Sequence, residues 1–269
     1  MTEGTGETQK MPDLRDKVAL ITGASSGIGA GAAVHFAQLG CRLSLSGRNE
    51  AALVETQQQC VGRGIEKKNV IYTVADLTSA EGASSVVKRT LQHFGKLDVL
   101  VNAAGIIVTG PVENASMQSY DSVMDINCRS IVMLTKECIP YLVESKGSVV
   151  NVSSINGICS FPNVTFYCMS KAAIDQFTKC LALELASSGV RVNSVNPGVI
   201  VTNVHKRGGM TDEQYEKFLE HSRSTHALGR VGSVEEVASA IAFLASSDSS
   251  FTTGHLLPID GGRGLITPR

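Results

Sequence analysis

VALITGASSGIGAGAAVHF, residues 18–36, carries the reading of the fold. The apolar, β-branched run from Val18 to Thr22 has the length and composition of a buried strand. It leads without a linker into a glycine-rich turn, Gly23-Ala-Ser25-Ser26-Gly27-Ile28-Gly29, and a helical stretch follows. Glycines in such a turn let the backbone approach a pyrophosphate, and the helix behind them points unpaired N–H groups at the anion. Three glycines in a turn also occur with no ligand at all. The strand before and the helix behind are what favour dinucleotide binding here.

Along the rest of the chain short apolar runs alternate with helical stretches, the pattern of a parallel sheet covered on both faces. Strands are expected at Val18 to Thr22, Cys41 to Ser46, Asn69 to Ala75, Leu97 to Val101, Ser148 to Val152, Arg191 to Val195 and His255 to Ile259. The fold class is therefore α/β, a single Rossmann-type doubly wound domain whose seven-stranded parallel sheet is flanked by helices on both faces. Ser116 opens a long helix reaching about Glu144, while Thr211 with Gln214 and Ser233 with Glu236 have the spacing of capping boxes. Residues 1–16 read as a flexible polar tail and 17–269 as one domain, since no repeat or low-complexity linker interrupts them.

Composition narrows the function. A 269-residue chain with 43% apolar residues can bury one large core. Its 24 basic and 25 acidic residues nearly balance, without a long run of either sign, and aromatic residues make up only 5%. That argues against a nucleic-acid or anionic-membrane partner. The seven cysteines lack a C-x-x-C pair and fall within apolar segments, as reduced buried thiols do, so neither a disulfide framework nor a metal site is expected. No secretory apolar core precedes residue 17, and Glu3, Glu7 and Asp13 speak against an acid-poor transit peptide. A cytoplasmic protein is the expectation, and the sequons at Asn114, Asn151 and Asn163 then have no glycosylation role.

Two further patterns carry chemistry. Tyr167 and Lys171 are four apart in a helical stretch and share one face, so an ammonium there can favour the ionised form of a phenol whose ordinary pKa is ~10. A surface Tyr/Lys pair has the same spacing, and the pattern gains force only from its neighbours. The second strand ends in Leu45-Ser46-Gly47-Arg48 without an acid that would accept from the ribose hydroxyls of NAD. A guanidinium at that place suits the 2′-phosphate of NADP, so NADP(H) is favoured over NAD(H). Asp76, at the end of the third strand, is suited either to the adenine amino group or to a turn.

Taken in order, residues 22–29, Asn102-Ala103-Ala-Gly105, Asn127, Ser154, Tyr167, Lys171 and Asn196-Pro197-Gly198 resemble the motifs of the short-chain dehydrogenases/reductases, in a match running from Lys17 to Gly262. The resemblance implies an enzyme interconverting a carbonyl and a secondary alcohol. It implies that Tyr167 is the acid, reversing to a base for oxidation, and that Lys171 lowers its pKa and holds the nicotinamide ribose. Ser154, rather than the adjoining Ser153, would hydrogen-bond the substrate oxygen, and Asn127 would bind a water linking the lysine to solvent. The turn Gly23, Ser25, Ser26, Gly27, Ile28 and Gly29 would hold the dinucleotide, with Arg48, Asp76 and Leu77 at its adenosine end. Asn102, Ala103 and Gly105 would pass beneath it. Pro197 and Gly198, with Ile200 and Thr202, would fix the carboxamide and reach the diphosphate, presenting the pro-S hydride. A homotetramer, or else a dimer, is implied as well, pairing the helices from Ser116 to Glu144 and from Thr165 to Ser187.

The substrate end is less determined. Ile155 to Phe166 carries no charge, which favours a neutral, largely apolar carbonyl compound such as a ketone or steroid. Asn203 to Leu228 is an insertion with its own short helix, positioned to close as a lid. Within it His205-Lys206-Arg207 reads as a solvated basic face or as the receiver of an anionic tail. Many relatives reduce 3-oxoacyl chains on a carrier protein that docks on two arginines. The matching positions are Ser145 and Ser188 here, which puts carrier docking in doubt and leaves a 3-oxoacyl-CoA or carrier-protein reductase as the alternative; a non-catalytic nucleotide-binding scaffold is a further one.

Overall fold

The computed structural model describes residues 12–266. In chain order the elements that position the site are β1 (Val18–Ile21), α1 (Gly27–Gln38), β2 (Arg42–Gly47), α2 (Glu50–Val61), β3 (Val70–Val74), α3 (Ala80–Phe94), β4 (Val99–Asn102), α4 (Met117–Met124), α5 (Ser130–Ser145), β5 (Ser148–Val152), α6 (Thr165–Leu185), β6 (Arg191–Pro197), α7 (Val204–Arg207), α8 (Asp212–Ser224), α9 (Val234–Ala245) and β7 (Leu256–Ile259). All seven expected strands form one sheet in the order β3-β2-β1-β4-β5-β6-β7, every neighbouring pair parallel. Their bounds lie within two residues of the sequence expectation, and those of β5 match it at both ends. Most of the expected polar tail, residues 1–11, lies outside the described residues; further along it, Leu14 is fully buried in the core.

Strand alternation divides the core into two layers. Ala19 and Ile21 of β1, Val99 and Val101 of β4, and Val150 and Val152 of β5 face the layer of α1, α2 and α9. Their neighbours Leu20, Leu100 and Val149 face the opposite layer, with α3, α5 and α6. Both faces of these strands are dry, which is why the sequence reads as continuous apolar runs rather than as alternation. The chain order reverses between β1 and β4, so the loops at their C-terminal ends diverge and leave a crevice, the place where ligands bind in open sheets of this kind.

Two polar clusters set the ends of the sheet. At the N-terminal edge the Asp98 carboxylate accepts from the Val18 N–H at 2.8 Å, from Lys96 at 2.9 Å and from Lys17 at 3.3 Å, tying β1 to the approach of β4. At the other edge Asn102 donates to Asn151 at 2.9 Å and to Thr135 at 3.1 Å, and Asn151 donates to Thr178 at 2.9 Å. This buried chain joins β4 and β5 to α5 and α6.

One expected element differs. The long helix from Ser116 to Glu144 is broken by a π-helical turn, Asp125–Arg129, between α4 and α5. The apolar spacing continues across the break, so hydrophobic pattern alone reads it as one helix. Both expected capping boxes are present, with reciprocal bonds between Thr211 and Gln214 and between Ser233 and Glu236. Among the described residues no helix is long and apolar enough to cross a membrane, and no group of side chains has the arrangement of a metal site.

Burial pushes the Asp98 carboxyl up, but Lys96, the Val18 N–H and Lys17 outweigh it and hold it below its ordinary value. A depressed carboxylate stabilises the fold above its unfolded-state pKa and loses that contribution as pH falls through the folded-state value. Asp98→Asn is therefore expected to destabilise by about 1–3 kcal/mol at neutral pH in urea unfolding. The gap to the unsubstituted protein should close only below the ordinary carboxylate range; a gap independent of pH would contradict the ionic origin.

Candidate active site

The crevice at the C-terminal ends of β1, β4, β5 and β6 is a continuous cleft of about 540 Å³. Of the residues to which the sequence assigned a catalytic or cofactor-binding role, all line it except Asn102 and Asn127. The Asn102 amide is spent inside the sheet on Asn151 and Thr135, so its side chain belongs to the frame and not to the cleft wall. Asn127 is fully buried one layer behind the wall.

At the glycine-rich end, local geometry explains the sequence. Gly23 has φ +63°, and a Cβ there would lie 2.7 Å from the Ala103 carbonyl oxygen. A Cβ on Gly29 would lie 2.5 Å from the Gly23 carbonyl oxygen. The turn is thus folded back on itself and pressed against the loop after β4, where the Thr22 hydroxyl accepts from the Ala103 and Ala104 N–H groups at 3.0 and 3.1 Å. Behind it, α1 starts at Ser26 with no side-chain cap and no acidic residue in its first turn. Those first-turn N–H groups remain available to an anion.

Cations gather at the same end. Arg48 is exposed and has no hydrogen bond or ion pair among the described residues. Arg207, from α7 in the insertion, donates to the Ser26 hydroxyl at 2.6 Å. The basic run is therefore no simple solvated face: its arginine reaches the glycine-rich turn, while Lys206 pairs with Asp212 at 2.8 Å. The Asp76 carboxylate uses Oδ1 on the N–H and hydroxyl of Thr78, at 3.0 and 2.8 Å, and so shapes its own turn. Helix-terminal N–H groups, serine hydroxyls and two arginines make a donor set that fits the phosphates of a nicotinamide dinucleotide.

At the other end Tyr167 and Lys171 project from the first turns of α6, with the lysine nitrogen 5.5 Å from the centre of the phenol ring. Lys171 is buried and donates to the Val152 carbonyl at 2.9 Å, at the very end of β5. Burial lowers its pKa to about 8, opposed by the charges of Cys128 and Asp175. Burial acts on Tyr167 in the opposite direction and raises the phenol to about 12, with the Ser154 hydroxyl as hydrogen-bond partner pulling it back. Desolvation is the largest influence on the phenol, and the Lys171 ammonium, expected to bring it down, is turned to a backbone carbonyl.

The neighbouring side chains separate by role. Ser153 donates to the Lys171 carbonyl at 3.3 Å and is bound into the frame, whereas Ser154 lines the cleft beside Tyr167 and hydrogen-bonds Asn156. Asn127 sits in the π-helical turn, accepts from the Ile106 N–H at 2.8 Å, and donates to the Ile106 carbonyl at 2.9 Å and Ser170 at 3.0 Å. It thereby holds the loop after β4 against α6. Gly105 completes the corner: a Cβ there would lie 3.3 Å from the Asn127 oxygen and 3.7 Å from the lysine nitrogen.

Three residues not singled out by sequence reasoning enter the site. Asp175, one helical turn beyond Lys171, is buried and accepts from the Asn196 amide at 3.0 Å, and the same amide donates to the Ser154 carbonyl at 2.9 Å. Burial raises this carboxyl, with Ser153, Asn196 and Lys171 opposing. The i,i+4 spacing from Lys171 was the available signal. Arg263 sits over the Phe161 ring, the guanidinium carbon 4.8 Å from the ring centre, and both line the cleft. No local pattern marks Arg263, which arrives from the far end of the chain. The insertion forms α7 and α8, anchored where the Tyr215 hydroxyl donates to the Thr202 carbonyl at 2.8 Å.

The family model described as Enoyl-(Acyl carrier protein) reductase matches residues 23–263. The 3-oxoacyl-(acyl-carrier-protein) reductase of Thermotoga maritima is 39% identical over 93% of this chain and 98% of its own length. The L-xylulose reductase of Caenorhabditis elegans is 35% identical, with 93% and 96% covered. A solved short-chain dehydrogenase/reductase of unknown function from Caenorhabditis elegans, crystallised with cofactor, matches with a TM-score of 0.90 at 36% identity, covering 95% of this chain and 98% of that one. The match extends over sequence and overall fold alike, and the protein belongs to the short-chain dehydrogenase/reductase family of oxidoreductases, which work with nicotinamide cofactors on small molecules.

Proposed function

We propose that this protein is an NADP(H)-dependent oxidoreductase that interconverts a carbonyl and a secondary alcohol on a small molecule with a largely apolar body. The observation that carries the reading is the sharing of one cleft wall by Tyr167, Ser154 and Lys171, continuous with the glycine-rich turn and its arginines. When bound, the nicotinamide supplies or accepts the hydride. What remains for the chain is to hold the carbonyl and to manage one proton.

Ser154 and Tyr167 are the two hydroxyls suited to the substrate oxygen, and both donate to it as negative charge develops. With its pKa at about 12 the phenol is protonated at neutral pH, the form needed for reduction. Giving up that proton leaves a phenolate in a desolvated place, whose charge the Lys171 ammonium, 5.5 Å from the ring centre, offsets. Lysine at about 8 holds its proton at neutral pH yet exchanges it readily, so it serves to restore the phenol. Asn127 and Asp175 act one layer back, fixing the loop after β4 and the end of β5 against α6. Apolar walls from Ile155, Phe161, Val164 and Phe218 exclude water from the reacting oxygen.

Arg48 and Arg207 support NADP(H) over NAD(H), since both lie at the phosphate end and no acid lines it but Asp76. Exposed apolar side chains on the outer helices, Val132 on α5 and Leu183 on α6 at 80% exposure, support self-association to a homotetramer or dimer. Similarity to a 3-oxoacyl-(acyl-carrier-protein) reductase supports a thioester substrate as the second reading, against which stand Ser145 and Ser188.

Tyr167→Phe is expected to lower turnover of free ketones or acetoacetyl-CoA by at least about 100-fold while leaving NADPH affinity within about two-fold. Loss of cofactor binding instead would make Tyr167 structural. In cofactor titrations Arg48→Ala should weaken NADPH by roughly ten-fold and NADH hardly at all; equal losses would remove the NADP assignment. Light scattering on eluting protein should give a mass of two or four chains, and a monomer at all concentrations would refute the assembly.

A further inference from the structure

Two buried donors in the cleft have nothing to bond to. Arg263 Nη1 and His205 Nδ1 are both inaccessible to water and lack a hydrogen-bond partner among the described residues. Both side chains line the cleft, Arg263 against Phe161 and His205 against Phe218. A buried donor left unpaired costs about 1–3 kcal/mol, more when it is charged. Such an arrangement persists where a ligand completes it.

The surroundings hold Arg263 for that purpose. Its guanidinium carbon sits over the Phe161 ring, 4.8 Å from the ring centre, a cation–π contact that holds the side chain without using its N–H donors. It forms no ion pair among the described residues. Asp260 is the carboxylate whose charge bears on it, but Asp260 spends Oδ1 on the Gly262 N–H at 3.0 Å and Oδ2 on the Gly264 N–H at 2.7 Å. Asp76 is the one acid lining the cleft among the described residues, and it lies at the adenosine end.

His205 differs from the nearby His226, whose Nδ1 reaches the Ser222 carbonyl at 2.6 Å and whose Nε2 accepts from the Val199 N–H at 3.2 Å. The His205 ring packs 4.6 Å from Phe218, and burial followed by the charge of Arg263 keeps it neutral. It supplies a hydrogen bond without a second positive charge. Of the other cations lining the cleft, Arg207 is committed to Ser26 and Lys171 to the Val152 carbonyl, and Arg48 lies with the glycine-rich turn.

We propose that Arg263 and His205 form a subsite for the carboxylate of the substrate, so that the compound turned over is an oxo acid, or the matching hydroxy acid, with an apolar stem. One guanidinium fork and one neutral imidazole on the same cleft match a planar monoanion, whereas a phosphate dianion calls for more charge. This names the substrate class of the oxidoreductase proposed above and rests on that reading for the chemistry: the carbonyl carbon gains hydride, its oxygen gains the Tyr167 proton, and the carboxylate is unchanged. The uncharged segment 155–166 supplies the apolar wall, and the charge comes from outside it.

Binding is measured apart from turnover. Acetoacetate, levulinate and a straight-chain oxodecanoate, each with its methyl ester, are titrated into the protein saturated with oxidised NADP, which cannot reduce them, and the heat of binding is followed by calorimetry. At least one acid should bind about ten-fold or more tightly than its ester, and Arg263→Met should remove that preference by weakening the acid alone. His205→Phe should reduce it in part. Unchanged NADPH affinity and melting temperature show that the variants are folded; if Arg263→Met fails this check, Arg263→Gln replaces it with the same expectation. Esters that bind as tightly as acids, no binding by any acid, or a preference that survives loss of the arginine would each overturn the subsite. An acid held with the expected preference but not reduced would leave the subsite standing and count against the redox reading.

Discussion

A lysine charge buried at the end of a parallel strand is the constraint around which this molecule is organised. Taking an ammonium out of water is costly unless polar groups replace its hydration. Lys171 finds one replacement in the Val152 carbonyl, at the edge where β5 stops and its backbone acceptor is free of the ladder. Position, rather than mere presence, is therefore dictated: the nitrogen must reach a strand end from the adjacent helix. Several local features follow from keeping it there. Gly105 leaves room where any side chain would crowd the Asn127 oxygen, the π-helical turn aims Asn127 at Ile106 and Ser170, and Asp175 ties the base of the same helix to Asn196.

The cleft separates its charges by distance. Arginines at the glycine-rich end face an uncapped helix terminus, a place built for phosphates. In the middle stand Tyr167 and Lys171, whose proton affinities burial moves toward each other's opposites, the phenol up and the amine down. Desolvation alone would make the phenolate hard to form. The lysine charge becomes useful in that same dry setting, because weaker screening lets it act across the gap to the ring. On the same cleft Arg263 sits over the Phe161 ring with its Nη1 unspent.

Much of this was legible in the sequence because it is written locally. Parallel strands buried on both faces appear as unbroken apolar runs, and all seven are where such runs occur. Glycine at 23 and 29 encodes a turn too tight for a Cβ, and the serine and threonine caps at 233 and 211 announce their helices by spacing. The π-helical turn was hidden, since inserting one residue into a helical turn leaves the composition of the segment unchanged. Electrostatics was read with the wrong dominant cause, because spacing places Lys171 beside Tyr167 but does not say how dry the place is. Arg263, His205 and the reach of Arg207 to Ser26 are matters of tertiary contact between distant segments, and no short-range pattern records them.

The central claim is that Tyr167 supplies the proton to a carbonyl that receives hydride in the same cleft. Reduced NADP carrying deuterium on the pro-S face of nicotinamide C4 tests it, with the product examined by mass spectrometry and NMR. The account predicts that the label moves wholly to the new carbinol carbon while the hydroxyl proton comes from solvent. Label retained on the oxidised cofactor, or lost to water, would contradict it.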